Sequence, residues 1–268
     1  MSLISDDVLA NSLHLSGSTL GLVKRMLAIA QMDELYRRCS ADTGRDFAAA
    51  VLRELDVNVV VDDDAFAAVT PDNPMAIIAN HPFGMLDGLI LIKLLGDRTS
   101  GFKFMSNYLL EGIETLREHF VFTNPLDDGG DKRSNVASIR AILRLAREHN
   151  SIAIFPASDV SSFRLRRLRV EDRDWDPANI KLIKKLNLPI LPVYIEGRNS
   201  IVYQIMNGLH RKLGLLRLPR ELLNKRSHSV RVVAGAPFRL TPGQMAEAIP
   251  SLAAILKSRV YGLRDQPR

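Results

Sequence analysis

Short apolar runs alternate along the chain with longer stretches of helical periodicity. Residues 57–61, 75–80, 102–106, 120–123, 151–156 and 229–233 are apolar or β-branched, bounded by polar residues, and read as strands. Residues 19–38 carry Leu20, Val23, Leu27, Ala30 and Leu35 at helical spacing, with Lys24, Arg25, Arg37 and Arg38 on the polar side. Residues 42–55 repeat the pattern with Phe47, Val51 and Leu55. Residues 89–95 are apolar throughout and predict a buried helix. Residues 134–149 predict a helix with Val136, Ile139, Ile142, Leu143 and Ala146 inward and Arg140, Arg144 and Arg147 outward. Thr241 followed by Pro242 predicts the start of a closing helix running to about Tyr261. The expected architecture is α/β: a mixed central sheet covered by helices, with an N-terminal helical hairpin. The hairpin takes residues 1–56 and the α/β part residues 57–268, the two forming one continuous domain.

At 268 residues the chain is long enough to bury a full core, and its 46% hydrophobic and 25% charged residues are ordinary globular values. Neither repeats nor low-complexity linkers interrupt it. The single cysteine, Cys39, excludes a disulfide framework and fits a reducing compartment. Residues 1–7 have no basic start leading into an apolar core, so no signal peptide is expected. No apolar run approaches the roughly 20 residues that span a bilayer. The expectation is a cytoplasmic protein, at most peripheral on the inner face of the membrane.

Charge changes the picture because it is uneven. Residues 161–231 hold 16 Lys and Arg against 6 Asp and Glu, a balance of +10; the remaining 20 basic and 24 acidic residues give −4. Such a surface serves nucleic acid, an anionic membrane or anionic substrates, or is simply well solvated. Only Phe163, Trp175, Tyr194 and Tyr203 interleave these charges, too few for base stacking, so nucleic acid is not the expected partner. An anionic membrane surface is. The N-terminal hairpin either packs on its own domain or rests its apolar stripe on lipid. Asp62-Asp63-Asp64 alternates sides in an extended segment, so it reads as a solvated turn and not an ion site.

One turn stands out chemically: Asn80-His81-Pro82-Phe83-Gly84-Met85-Leu86-Asp87-Gly88, between the 75–80 strand and the 89–95 helix. Carboxyl ends of strands are where α/β sheets build sites. A neutral imidazole removes a proton from a hydroxyl or amine when a carboxylate holds its other nitrogen in the right tautomer. His81 and Asp87 suit those two roles. The spacing alone equally allows a turn-capping His and a helix N-cap Asp. The six histidines and lone Cys39 show no metal-ligand spacing, so no metal is expected.

The turn resembles the first signature of the glycerolipid (lysophosphatidate-type) acyltransferase superfamily. Its five residues between His81 and Asp87, Pro82 to Leu86, are shared by the hemolysin-like, ornithine-lipid-related branch. Phe155-Pro156-Ala157-Ser158-Asp159-Val160-Ser161 resembles that branch's Phe-Pro-Ala-Gly-Glu-Val-Ser, with the acid one carbon shorter at Asp159. Residues 188–195 are similar to the superfamily's late Val-Pro-Ile-x-Pro-Val strand, and residues 196–200 and 218–226 are similar to the branch. Four motifs in order cover about residues 45 to 240.

The resemblance implies an enzyme moving a fatty acyl group from acyl-CoA or acyl carrier protein, as co-substrate and without a further cofactor, to a lyso-lipid acceptor. His81 and Asp87 are its catalytic candidates. Asn80, Phe83, Gly84, Asp159, Ser161, Arg164, Arg166 and Arg198 are its substrate-binding candidates. The two rivals are a lipid or thioester hydrolase, for which no Gly-x-Ser-x-Gly elbow is present, and a non-catalytic lipid binder. The second signature also bears on the acceptor. Val160 stands where the wider superfamily has Arg, and Asp159 brings a negative charge. Unless Arg164, Arg166 or Arg198 meets that charge, a phosphate head is disfavoured and a lyso-aminolipid such as lyso-ornithine lipid is expected.

Overall fold

The computed structural model describes residues 28–61, 64–107, 113–123 and 132–265. Helices α1 (Ile29–Cys39) and α2 (Gly44–Glu54) come first, then β1 (Asn58–Val61), β2 (Ala76–Ala79), α3 (Met85–Gly96), β3 (Phe102–Asn107) and β4 (Phe120–Thr123). Next come α4 (Lys132–Arg147), β5 (Ser151–Ile154), the hairpin strands β6 (Ser162–Arg164) and β7 (Arg169–Glu171), and α5 (Pro177–Leu186). The chain then runs through β8 (Ile190–Ile195), α6 (Ile201–Leu209), α7 (Arg211–Leu223) and β9 (Ser229–Ala234) to α8 (Pro242–Ala246) and α9 (Ile249–Tyr261).

Seven strands form one sheet in the order β1-β9-β8-β2-β5-β3-β4. The run from β8 to β4 is parallel; β9 joins β8 antiparallel and carries β1 parallel to itself, so the sheet is mixed. Its central strands are buried on both faces, which is why Ala76-Ile77-Ile78-Ala79 and residues 190–195 read as unbroken apolar runs. The period of two sends alternate side chains to opposite layers. Ile77, Ala79, Ala153, Leu191, Val193 and Ile195 join α1, α2 and α3 in one core. Ala76, Ile78, Ile152, Ile154, Ile190 and Tyr194 join α4, α5 and α9 in the other.

Two sequence expectations are corrected, and an open alternative is decided for part of the first helix. The closing helix breaks between α8 and α9 at Glu247-Ala248, both with extended ψ. A continuous helix would drive the Pro250 ring into the carbonyl four residues earlier. Val136 is exposed, because α4 begins to meet the sheet only at Ile139 and Ile142. The described part of the first helix buries Ile29, Met32, Leu35 and Cys39 against the core, so that stretch of its apolar stripe does not face lipid. Residues 19–27 of the expected helix lie outside the described residues, as do Asp62 and Asp63.

In register, Ala79 of β2 stands beside Val193 of β8, and Ile78 beside Ile154 of β5. The carboxyl ends of these three parallel strands therefore lie side by side at one edge, with β2 in the middle. Ile90 on α3 is fully buried in the core that α1, α2 and α3 share with the sheet. Ile90→Ala is expected to lower unfolding stability by about 2–5 kcal/mol through the cavity it leaves, measured by urea denaturation.

Candidate active site

The turn after β2 is shaped by one carboxylate. Asp87, in the first turn of α3, is fully buried, and its Oδ2 accepts hydrogen bonds from the Phe83 and Gly84 amides, each at 2.9 Å. These amides precede the helix, so Asp87 closes the turn back on itself and sits at the positive end of the α3 dipole. Gly84 takes φ +90, a region L side chains rarely adopt, and a Cβ there would press on Leu218 and Val160. His81 lies on the same turn with its Nδ1 2.8 Å from Asp87 Oδ2. The two atoms are in contact without the alignment of a full hydrogen bond. The imidazole stacks on Phe155 at 4.1 Å between ring centres and 21° between planes.

The neighbouring strand ends lock this turn. Asn80 donates to the Ile195 carbonyl at 2.8 Å and accepts from the Ile195 amide at 2.7 Å, which fastens the end of β2 to the end of β8. Its amide is thus engaged by the fold. On the β5 side, the Ser161 amide donates to the His81 carbonyl at 2.8 Å. Ser161 Oγ donates to Asp172 Oδ1 at 2.6 Å, and that same oxygen accepts the His81 amide at 3.1 Å. Asp172 Oδ2 accepts from Trp175 Nε1 at 3.1 Å. Burial pushes the Asp172 carboxyl up, with the hydrogen bonds from Ser161, Trp175 and the His81 backbone opposing it.

The loop after β8 holds Phe83. Gly197 has φ +146, and any Cβ there would enter the Phe83 ring. Asn199 Nδ2 donates to the Phe83 carbonyl at 3.2 Å, and Lys225 Nζ lies 5.0 Å from the ring centre. Glu221 on α7 fixes this loop by accepting from the Ser200 amide at 2.8 Å and its hydroxyl at 2.6 Å. Burial pushes the Lys225 ammonium down, countered by the Glu221 charge.

Asp159 is buried and paired with Arg173 Nε at 3.2 Å and Arg211 Nε at 3.1 Å. The cations that meet it are therefore not Arg164, Arg166 or Arg198, the three named by sequence. Those three sit at the surface on the β6–β7 hairpin and the loop after β8. The structure thus brings together His81, Asp87, Phe83, Gly84, Asn80 and Ser161, with Asp159 on the adjoining turn. Sequence reasoning missed Asp172, Glu221, Lys225, Asn199 and the two arginines on Asp159. The one available signal was that Glu221 and Lys225 lie four apart inside the 218–226 stretch already singled out. Among the described residues no cluster of His, Cys, Asp and Glu could hold a metal ion.

A buried carboxylate thus stands against a partly exposed imidazole at the carboxyl edge of a parallel sheet, a pairing that can support proton transfer. The chain matches the Acyltransferase family over residues 3–266 and belongs to it, an enzyme of the glycerolipid acyltransferase superfamily. Two of its relatives are lyso-glycine lipid O-acyltransferases. The one from Phocaeicola vulgatus is 24% identical over 252 residues, 90% of this chain and 87% of the relative. The one from Bacteroides thetaiotaomicron is 25% identical over 223 residues, 78% and 79% of the two chains. The crystal structure of the 1-acyl-sn-glycerophosphate acyltransferase PlsC from Thermotoga maritima is 15% identical, covers 92% of this chain and 97% of its own, and has a TM-score of 0.49.

Asp172→Ala leaves the Ser161 hydroxyl, the Trp175 indole and the His81 amide without their acceptor. It is expected to lower stability by about 1–3 kcal/mol and to lower kcat as well, while Asp172→Asn, which keeps an oxygen for Ser161 and His81, retains more of both. Urea denaturation and turnover measured on the same preparations check this.

Proposed function

We propose that this enzyme moves a fatty acyl group from an acyl thioester, acyl-CoA or acyl carrier protein, to the hydroxyl of a lyso-lipid with an amino-acid head group. The observation that carries the reading is the His81–Asp87 contact, held by the two turn amides at the strand end. The acceptor hydroxyl gives its proton to His81 Nε2 while Asp87 holds Nδ1 protonated. The oxygen attacks the thioester carbonyl, and the tetrahedral intermediate collapses with loss of the thiolate, which takes the proton back from the imidazolium. The thioester is already activated, so no acyl-enzyme is required. Amides of the turn at residues 84–88, at the start of α3, where the first helical N–H groups lack intrahelical acceptors, would hold the oxyanion.

For the acceptor, the support is the names of the two relatives; with Asp159 paired, the second signature no longer disfavours a phosphate head. Val160 offers no charge, and Asp159 is neutralised by two arginines, so the cluster carries one net positive charge. That balance removes the expected attraction between Asp159 and a cationic head and suits an anionic one, such as a free carboxylate. A lyso-lipid resides in or at a bilayer, so the enzyme works at a membrane surface; among the described residues no helix is long and apolar enough to cross one.

His81→Ala is expected to lower transfer by roughly 10²- to 10⁴-fold with an unchanged melting curve, and Asp87→Asn to be severe through loss of the correct tautomer. Near-wild-type turnover of a folded His81→Ala protein would refute the mechanism. For the acceptor, purified enzyme is offered labelled acyl thioester with lyso-glycine lipid, lyso-ornithine lipid and lysophosphatidate in competition, and products are read by mass spectrometry. The amino-acid lipids are expected to be acylated first; preferential use of lysophosphatidate would overturn the acceptor assignment.

A further inference from the structure

Helix α6 is built inside out. Its inward side carries Tyr203 and Asn207, both buried, the second with a polar amide. Its outward side carries Ile201, Ile205 and Leu209 at four-residue spacing, 77%, 59% and 75% exposed. A helix on a water-facing surface places its apolar stripe inward, so this orientation disfavours an aqueous neighbour. The β6–β7 hairpin adjoins α6, tied by a hydrogen bond of 2.8 Å from the Phe163 amide to Gln204 Oε1. It exposes Phe163 together with Leu165 at 77% and Leu168 at 75%. The apolar positions are interleaved with Arg164, Arg166, Arg167 and Arg169, and Arg211 and Lys212 follow α6 directly. Arg167 and Arg169 are paired with Glu171, and Arg211 with Asp159, whereas Arg164, Arg166 and Lys212 make no ion pair among the described residues.

Both parts of this face grow out of the active-site edge. The hairpin follows the turn that ends β5, and α6 follows the loop that ends β8, the two strands flanking β2 and His81. We propose that α6 and the β6–β7 hairpin are the surface on which the enzyme rests on an anionic bilayer, with Ile201, Ile205, Leu209, Leu165 and Leu168 entering the lipid and the arginines meeting the head groups. Charge complementarity selects this occupant: an apolar stripe bordered by unpaired cations is the composition of an interfacial element. Docked in this way, the strand edge that carries His81 lies on the side of the layer that holds a lipid acceptor, so the inference extends the acyltransferase reading to its membrane geometry. The binding itself does not require that reading to hold.

The test is sedimentation of the full chain with vesicles of phosphatidylcholine and with vesicles also containing phosphatidylglycerol. Leu165→Ser/Leu168→Ser and Ile201→Ser/Ile205→Ser are expected to weaken binding to both vesicle types at every salt concentration. Arg164→Glu/Arg166→Glu is expected to weaken binding about tenfold or more, on the anionic vesicles alone and only at low salt. Leu168→Trp supplies a reporter against the constant signal of buried Trp175, and its emission is expected to shift blue on vesicles and to be quenched by brominated lipid. His81→Ala should bind vesicles as the wild type does. The two serine pairs should still acylate a short-chain acceptor below its micellar concentration, which separates loss of docking from loss of chemistry. If the wild type acylates nothing, the functional reading fails and the binding data still judge this proposal. Wild-type binding by both serine pairs, or no change at Leu168→Trp while the protein co-sediments, would overturn it. So would a Leu168→Trp signal already blue without vesicles in a protein that sediments as a dimer, an outcome that assigns the face to a second copy.

Discussion

The Asp87 carboxylate is the point on which the site depends. It is wholly buried, where an uncompensated charge is strongly disfavoured. Three things around it make that position tolerable: two amides from the turn it closes, the positive end of α3, and the imidazole of His81. The same oxygen that accepts the turn amides lies against the His81 imidazole. Because it accepts from Phe83 and Gly84, the turn can take only the path that the positive φ of Gly84 allows, and that path delivers His81 to the edge of the sheet. Gly84, and not Asp87, is the N-cap of α3; Asp87 closes the turn from three residues inside the helix.

Around this centre the three parallel strand ends are fastened by polar groups that the core itself does not need. Asn80 joins β2 to β8 through both amide atoms, Asp172 and Ser161 join the β5 turn to the His81 backbone, and Glu221 reaches from α7 to the loop over Phe83. Buried side chains of this kind are costly when half-satisfied and rigid when complete. They hold the imidazole against Phe155 while leaving its far side accessible. The Arg173–Asp159–Arg211 cluster extends the network outward and leaves the turn after β5 with a positive balance.

The apolar outer stripe of α6 and the leucines of the hairpin belong to a different energetic regime. In the core, apolar side chains gain by leaving water for one another; here they stand in water at the edge where a lipid substrate must arrive. The fold tolerates this because the two sheet faces already bury enough apolar surface in separate cores. The hairpin and α6 are appended to strand ends, not woven between strands.

The sequence by itself determined the α/β class, the strands of the central sheet, the His81–Asp87 turn and its place after a buried strand, but not the β6–β7 hairpin. These follow from local quantities: period two against period 3.6, glycine and proline positions, and motifs contiguous in the chain. It also marked the segment from 161 to 231 as strongly basic. What it left open depends on atoms far apart in the chain. That Asp159 meets Arg173 and Arg211, that Asp172 supports His81 from 91 residues away, and that Glu221 anchors Ser200 are outcomes of strand order and helix placement. The orientation of α6 is of the same kind. Its pattern fits a buried helix as well as an exposed one, because hydrophobic periodicity shows that a stripe exists but not which side faces the core. Only the tertiary structure, by setting Tyr203 and Asn207 inward, decided that the stripe faces out.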